Sequence, residues 1–225
     1  MVEHTFDDGW VTSRGLEQAE AALASAGLAE PVEHVSVLPA LRKLLTGLRR
    51  GQVVSVSGTG MLPLALLAGA SAAGAWCAVV GMPEFGVLAA ADMGADLDRV
   101  VLVVDPGEQW AEVVAVLLTA AEVVLVRPPV QVTGQLARRL VALARRHGSA
   151  LVVLGEWEGA QTRLRVASSL WVGVEHGGGY LRGQRVRVEA SGRGASARPR
   201  SVWLWLPGPD GSVSGADLAA LEVAG

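Results

Sequence analysis

Between residues 53 and 154, short apolar runs alternate with longer segments whose apolar residues recur at helical spacing. The runs are rich in Val and Leu and lack the apolar–polar alternation of a strand that has one solvent-exposed face. Strands that are apolar on both faces are typical of a parallel sheet covered by helices on both sides. The pattern predicts an α/β fold with strands at 53–57, 76–80, 100–104, 123–126 and 150–154. It predicts helices between them at 62–73, 85–93, 109–120 and 132–147.

The pattern changes on both sides of this region. Beyond residue 155, the segments 169–176, 179–190 and 200–207 are separated by glycine-rich joints and predict antiparallel strands added to the sheet edge. Before it, an Ala-rich helix and a linker precede a second short helix that ends near Gly51. We therefore expect an N-terminal helix and linker at 1–34, a core domain at 35–207 and a flexible tail at 208–225.

The turn between the first strand and the first helix has the outline of a phosphate-binding loop. It consists of Gly58, Thr59 and Gly60. In a working loop, Lys and then Ser or Thr follow the last glycine, to bind phosphate and magnesium. Here Met61 and Leu62 stand in those places and offer neither a positive charge nor a metal ligand. The sequence predicts a degenerate loop, in which the backbone amides either still hold an anion or only connect strand and helix.

Composition limits the classes of partner, site and cellular location that fit this chain. The formal net charge is −3, so the chain as a whole gives no basic signal for nucleic acid. The single cysteine, Cys77, excludes an internal disulfide and a cysteine-built zinc site. The longest apolar stretch is broken by Pro63 and several glycines, which is not typical of a membrane span. We expect a cytoplasmic protein with no cofactor, and no catalytic triad can be assembled from its four scattered histidines.

Arginine-rich positions form two candidate contact surfaces. The helix at 132–147 carries basic residues on one face and apolar residues on the other. The basic face fits DNA phosphate or an acidic partner, or is an ordinary solvated face. Its residues are Arg138, Arg139, Arg145 and Arg146.

The second arginine group lies among aromatic residues in the C-terminal strands. It comprises Arg182, Arg185, Arg187, Arg193, Arg198 and Arg200. Arginine interleaved with aromatic rings can bind single-stranded DNA by charge and stacking. Strand alternation places Trp203 and Trp205 on one face, where we expect them to pack against a helix. Binding of single-stranded DNA and packing against a helix both stay open as interpretations at this point.

The end of the chain offers a candidate partner-binding segment. Leu218, Leu221 and Val223 form a small apolar face that could order on a partner protein. A disordered tail is the equally acceptable alternative.

From residue 37 to about residue 154, the order of segments resembles the core of the RecA-type recombinases. The resemblance is carried by "PALRKLLTGLRRGQVVSVSG", "LALLAGASAAGAWCAVV", "LAAADMGADLDRVVLV" and "PGEQWAEVVAVLL". Together with "GRGASARPRSVWLWLP" near the C-terminus, the central block is similar to the actinobacterial RecA-like group called ImuA-prime. The resemblance implies a RecA-like fold of the P-loop NTPase type.

The chain departs from the recombinase pattern where that pattern carries chemistry. The magnesium-binding aspartate that should end the fourth strand is replaced by Arg127. The water-activating glutamate that should follow the second strand is replaced by Pro83, with Glu84 one residue further on. The long DNA-binding loops of the recombinases are also missing. The resemblance therefore implies a pseudo-ATPase and not an enzyme.

What the resemblance implies about function is a role in DNA-damage-induced translesion mutagenesis. We expect a non-catalytic adaptor that recruits or bridges ImuB, an inactive Y-family polymerase homologue, and an error-prone polymerase subunit. One alternative is a residual nucleotide-dependent switch or weak ATPase that uses Glu84. Another is a modulator that binds RecA and acts on recombinase filaments.

Overall fold

A computed structural model of the protein describes residues 34–58, 60–175, 178–192 and 198–216. The five apolar runs form strands close to their predicted positions, and helices connect them. The strands of the main sheet are β3 (Val53–Ser57), β4 (Cys77–Val80), β5 (Val100–Val103), β6 (Val123–Val126), β7 (Ala150–Leu154), β8 (Thr162–Glu175), β9 (Gly178–Gly192), β10 (Arg200–Trp205) and β11 (Ser214–Gly215). The helices are α1 (Met61–Ala72), α2 (Val87–Asp92), α3 (Trp110–Leu117) and α4 (Gly134–His147).

The sheet has the order β11-β10-β9-β8-β3-β7-β6-β4-β5. Strands β3 to β8 pair in parallel, and β9, β10 and β11 extend the sheet in antiparallel fashion beyond β8. The predicted mixed α/β architecture, with a mostly parallel sheet and antiparallel C-terminal strands, is therefore confirmed. The strand order differs from those of the Rossmann and flavodoxin-like folds.

Two apolar cores lie on opposite faces of this sheet. The first contains α1, α2, the segment at 35–48 and one face of strands β8 to β10. The second contains α3 and α4 packed on strands β3, β4, β6 and β7. Among the described residues, β8 to β10 contribute no buried side chain to the second core. No helix of the described residues covers their face on that side, and we call this face of β8 to β10 the open sheet face.

The prediction of a second short helix that ends near Gly51 is wrong. That segment forms a 3-10 turn at Pro39–Leu41 and a two-stranded sheet of β1 (His34–Val35) and β2 (Leu48–Arg49). Its leucines are buried at helix-like spacing, which is why the pattern indicated a helix. Gly47 instead allows the close approach of the two strands, since an added Cβ would lie 2.9 Å from the Val35 carbonyl oxygen.

The C-terminal strands are longer than the sequence pattern indicated. Strand β8 begins at Thr162, before the predicted segment at 169–176, because residues 162–165 pair in parallel with β3. Residues 208–216, the described part of the predicted tail, include the edge strand β11, which pairs with β10. The described residues contain no helix that is long and apolar enough to cross a membrane.

Candidate functional site

The glycine turn after β3 is shaped by packing against a neighbouring strand. Gly58 has φ +104°, and an added Cβ would lie 2.7 Å from the Val166 Cβ on β8. A residue with a side chain would therefore be both strained and overcrowded there. Gly60 precedes α1 in a helical conformation, whereas Thr59 lies outside the described residues. The presence of glycine at position 58 thus has a structural reason independent of any phosphate.

The first two residues of α1 face the protein interior. Met61 is half-buried and packs against the first core, and Leu62 is fully buried. A buried isobutyl group cannot coordinate magnesium, and it fills space in the core that a hydroxyl side chain would leave partly empty. The described turn consequently lacks the charge and the oxygen ligand that bind a nucleotide phosphate and its metal.

A shallow concavity of about 310 Å³ lies at the carboxyl ends of β3, β6 and β7. Such an edge is where ligands bind in open α/β sheets. Among the described residues, its walls are mostly glycine, proline and aliphatic side chains, and Arg127 is the only charged one. The backbone N–H of Arg127 donates to the Val80 carbonyl, which holds the end of β6 beside the end of β4.

The guanidinium of Arg127 forms an ion pair with the Glu84 carboxylate. The two residues follow β6 and β4, so adjacent strands bring them together. A hydrogen bond from its own backbone N–H, together with the hydrogen bond and charge of Arg127, lowers the pKa of Glu84. A carboxylate with a lowered pKa is a weak general base at neutral pH. The ion pair therefore leaves the Glu84 carboxylate engaged by a cation at the carboxyl ends of β4 and β6.

The described residues include a single thiol, that of Cys77, and it is buried. Burial strongly raises the pKa of the Cys77 thiol, which keeps it protonated and unreactive. Residues 34–58, 60–175, 178–192 and 198–216 contain no cluster of three His, Cys, Asp or Glu side chains suited to a metal ion.

Helix α4 has the two faces that the sequence predicts. Its four candidate arginines, Arg138, Arg139, Arg145 and Arg146, are exposed. Leu140 is buried, and Val132, Leu136 and Leu143 pack against the second core. Arg138 lies 3.6 Å from Glu158, so part of the basic charge is balanced locally.

The second arginine group is divided among different surfaces. Arg185 and Arg187 lie on the open sheet face, where they pair in register with Trp205 and Trp203 of β10. Arg200 donates to the Leu44 carbonyl at 3.3 Å and anchors β10 to the first core. Arg182 is exposed on the part of β9 beyond β10, and Arg198 is exposed just before β10. Arg193 and the apolar tail residues Leu218, Leu221 and Val223 lie outside the described residues.

The expectation that Trp203 and Trp205 pack against a helix is wrong. The buried residues of β10 are Leu204 and, just after it, Leu206, so the tryptophans take the opposite face. The Arg185 guanidinium lies 4.6 Å from the centre of the Trp205 ring. A cation stacked on the ring replaces the expected helix contact.

The open sheet face carries two further arginines that were not among the candidates predicted from the sequence. Arg163 and Arg165 lie on β8, in register with Ser55 and Ser57 of β3. The alternation of arginine and apolar residues in "TRLRV" is the signal that could have identified them.

Comparison with known proteins gives the family. The model of the MT3502 N-terminal domain matches residues 42–159, which is more than half of the chain. The chain belongs to the MT3502 N-terminal domain family. It is also similar to a Mycobacterium tuberculosis protein described as "Uncharacterized protein Rv3395c". The two are 39% identical over 152 residues, which cover 64% of this chain and 74% of that relative.

The residues matched by the MT3502 N-terminal domain include one candidate arginine surface, that of α4, and leave out the other, that of the C-terminal strands. The match includes the glycine turn, the Glu84–Arg127 pair and α4, and it ends before β8 begins. Strands β8 to β11, which form the open sheet face and the sheet edge, lie beyond the matched residues.

Proposed function

We propose that this protein is a non-catalytic, RecA-like adaptor that acts in DNA-damage-induced translesion mutagenesis. In this role it recruits or bridges an ImuB-type inactive polymerase homologue and an error-prone polymerase subunit. The pathway and the partners come from the resemblance to the ImuA-prime group. The structural support concerns the non-catalytic character of the adaptor.

The observation that carries this proposal is the ion pair between Glu84 and Arg127. Magnesium binding at the end of β6 would require a carboxylate, and Arg127 instead places a positive charge there. Arg127 also engages Glu84, the first carboxylate after β4, which would otherwise be free to activate water. The buried Leu62 adds to this picture, because it leaves no hydroxyl ligand at the start of α1.

The experiment that tests the non-catalytic character is a thermal melt with and without millimolar Mg-ATP. A ligand that binds only the native state raises its melting temperature by mass action. We expect no shift, and no phosphate release in a coupled assay. Magnesium chloride alone and inorganic phosphate alone serve as controls for general ion effects.

An Mg-ATP-dependent shift accompanied by hydrolysis that Glu84→Ala abolishes would overturn the proposal in favour of a nucleotide-dependent switch. The Arg127→Ala variant is the matched control for adventitious anion binding. A shift that inorganic phosphate also produces, and that Arg127→Ala removes but Glu84→Ala does not, would mean that the concavity binds anions. Such a shift would not require a catalytic site.

The adaptor role itself is tested by pull-down with purified ImuB-type protein and, separately, with RecA. We expect retention of the ImuB-type protein in the absence of nucleotide. Retention of RecA without retention of the ImuB-type protein would instead support the filament modulator.

A further inference from the structure

Four arginines are concentrated on the open sheet face, although the protein as a whole is acidic. They are Arg163, Arg165, Arg185 and Arg187, and within the described part of this face they surround one carboxylate, Glu189. The formal charge of these five groups is +3, whereas the chain carries −3. A local surplus of positive charge on an acidic protein points to a polyanionic partner for this particular surface.

Strand register orders these side chains in rows that run across β8, β9 and β10. One row contains Arg165, Glu189 and Ser201. The next contains Ser168, Arg187 and Trp203. A third contains Leu170, Arg185 and Trp205. Adjacent strands lie about 4.8 Å apart, so charged groups and rings are close neighbours on this face.

The ion pairs of this face leave positive charge available. Glu189 accepts from Arg165 at 3.1 Å and from Arg187 at 2.8 Å, so one carboxylate is shared by two guanidinium groups. Arg163 has no ion pair within 4.0 Å among the described residues. Arg185 is engaged by the Trp205 ring, which does not neutralise its charge.

A concavity of about 350 Å³ lies at the basic end of the face. Arg163, Arg165 and Arg187 line it, together with the small side chains Ser57 and Ser191. Glu156 stands at the same concavity, so its lining is basic overall but not uniformly so. Serines between arginines leave room for an anionic backbone and offer hydroxyl donors to it.

We infer that the open sheet face binds single-stranded nucleic acid, with the arginines on phosphates and the half-buried ring of Trp203 stacked against a base. A sheet that presents aromatic residues is a known platform for unstacked bases, and stacking does not depend on sequence. An acidic protein segment would pair with the arginines, but it would have no base to stack on the neighbouring tryptophan. This inference is independent of the adaptor role, because the purified chain alone suffices to test it.

The test is fluorescence anisotropy of a labelled oligothymidylate titrated with the full chain at several salt concentrations. Each phosphate contact with a single strand contributes about 0.7 to the slope of log affinity against log salt. Arg163→Gln/Arg165→Gln should weaken binding at least tenfold at low salt and reduce that slope by about 1.4. Arg163→Gln alone is the second variant, because it leaves both partners of Glu189 in place.

The matched control is Arg139→Gln/Arg146→Gln, which removes two charges from the exposed face of α4. We expect it to bind with nearly the affinity of the unaltered chain. An equal loss in both double variants would overturn the inference, because it would mean that net charge or α4 governs binding. Failure of the unaltered chain to bind at low salt would overturn it as well.

Substitution of Trp203 separates nucleic acid from other polyanions. Trp203→Ala should weaken oligothymidylate binding about tenfold, and Trp203→Phe should restore most of it. Polyglutamate should compete poorly. Equal competition by polyglutamate, or equal affinity for a duplex of the same length, would overturn the assignment of single-stranded nucleic acid. Thermal melts of every variant establish that each one is folded.

Discussion

At the scale of single residues, a glycine inside α1 leaves no room for a side chain. An added Cβ at Gly69 would lie 2.3 Å from the Leu38 backbone nitrogen and 2.8 Å from the Val37 Cα. Both are backbone atoms of the segment that crosses α1, so they cannot move like a flexible side chain. The crossing of segment and helix therefore depends on the absence of a side chain here.

Gly69→Ala should destabilise the protein although alanine is the better helix former by about 1 kcal/mol. Overpacking of this kind costs about 1–3 kcal/mol, which corresponds to a fall of several degrees in melting temperature for a chain of this size. Gly60→Ala is the matched control, since an added Cβ there meets nothing within 4 Å. Equal melting temperatures for the two variants would contradict the close approach of the segment at 35–48.

Glu84 gives a prediction about pH. Its folded-state pKa lies below the ordinary value of 4.5, so its carboxylate stabilises the fold above pH 4.5. That contribution is lost as the pH falls through the lowered pKa, because the unfolded chain then binds the proton more readily. Glu84→Gln should therefore melt slightly below the unaltered chain at pH 7 and equally with it at pH 3. A difference that persists unchanged at pH 3 would contradict the ion pair with Arg127.

Single residues also show what the sequence can and cannot predict. Met61, Leu62 and Arg127 indicate a degenerate site because each stands where a residue that binds phosphate or magnesium is expected, and this interpretation stays a prediction. The contact of Arg127 with Glu84 required the structure, since it depends on β6 and β4 being neighbours in the sheet. Chain order alone does not specify that pairing.

At the scale of secondary structure, helices α3 and α4 are joined through a buried hydroxyl. Ser149 follows α4, and its Oγ lies 2.7 Å from the Leu118 carbonyl oxygen and 2.6 Å from that of Ala121. Both carbonyls belong to the end of α3 and the residues after it. The hydroxyl therefore connects the C-terminal ends of the two helices that cover the second core.

Ser149→Ala should lower the free energy of unfolding by about 1–3 kcal/mol, because it leaves buried carbonyl oxygens without a donor. Ser168→Ala on the exposed part of β8 is the control and should have almost no effect. Urea unfolding of both variants measures the difference. Indistinguishable transitions would mean that the hydroxyl is not a required donor.

Hydrophobic periodicity identified the parallel strands and α4 because these elements bury their apolar residues in a regular pattern. It failed for residues 39–51, where buried leucines occur at helical spacing but Gly47 and Gly51 support a turn and a short strand pair. It also failed for the start of β8. Arginines on the open sheet face made that strand resemble a polar connection.

At the scale of the whole molecule, the segment after β10 completes the sheet. The Ala216 N–H donates to the Trp203 carbonyl, and β11 pairs with Leu204 and Trp205. Val213 packs against the first core. Residues 208–216 therefore protect the edge strand that carries the two tryptophans, and an unprotected edge is a site of non-native pairing.

Two truncations measure what this segment contributes. Removal of residues 208–225 should lower the melting temperature by about 4–8 °C, because it eliminates the packing of Val213 and the hydrogen bonds of β11, together about 2 kcal/mol. Removal of residues 217–225 alone should leave the melting temperature nearly unchanged, since the pairing of β11 with β10 among the described residues is retained. The shorter truncation is thus the suitable variant for testing Leu218, Leu221 and Val223 in partner binding. If both truncations melt like the full chain, β11 contributes nothing to stability, and any loss of partner binding in the longer truncation would then be assigned to residues 208–216 themselves.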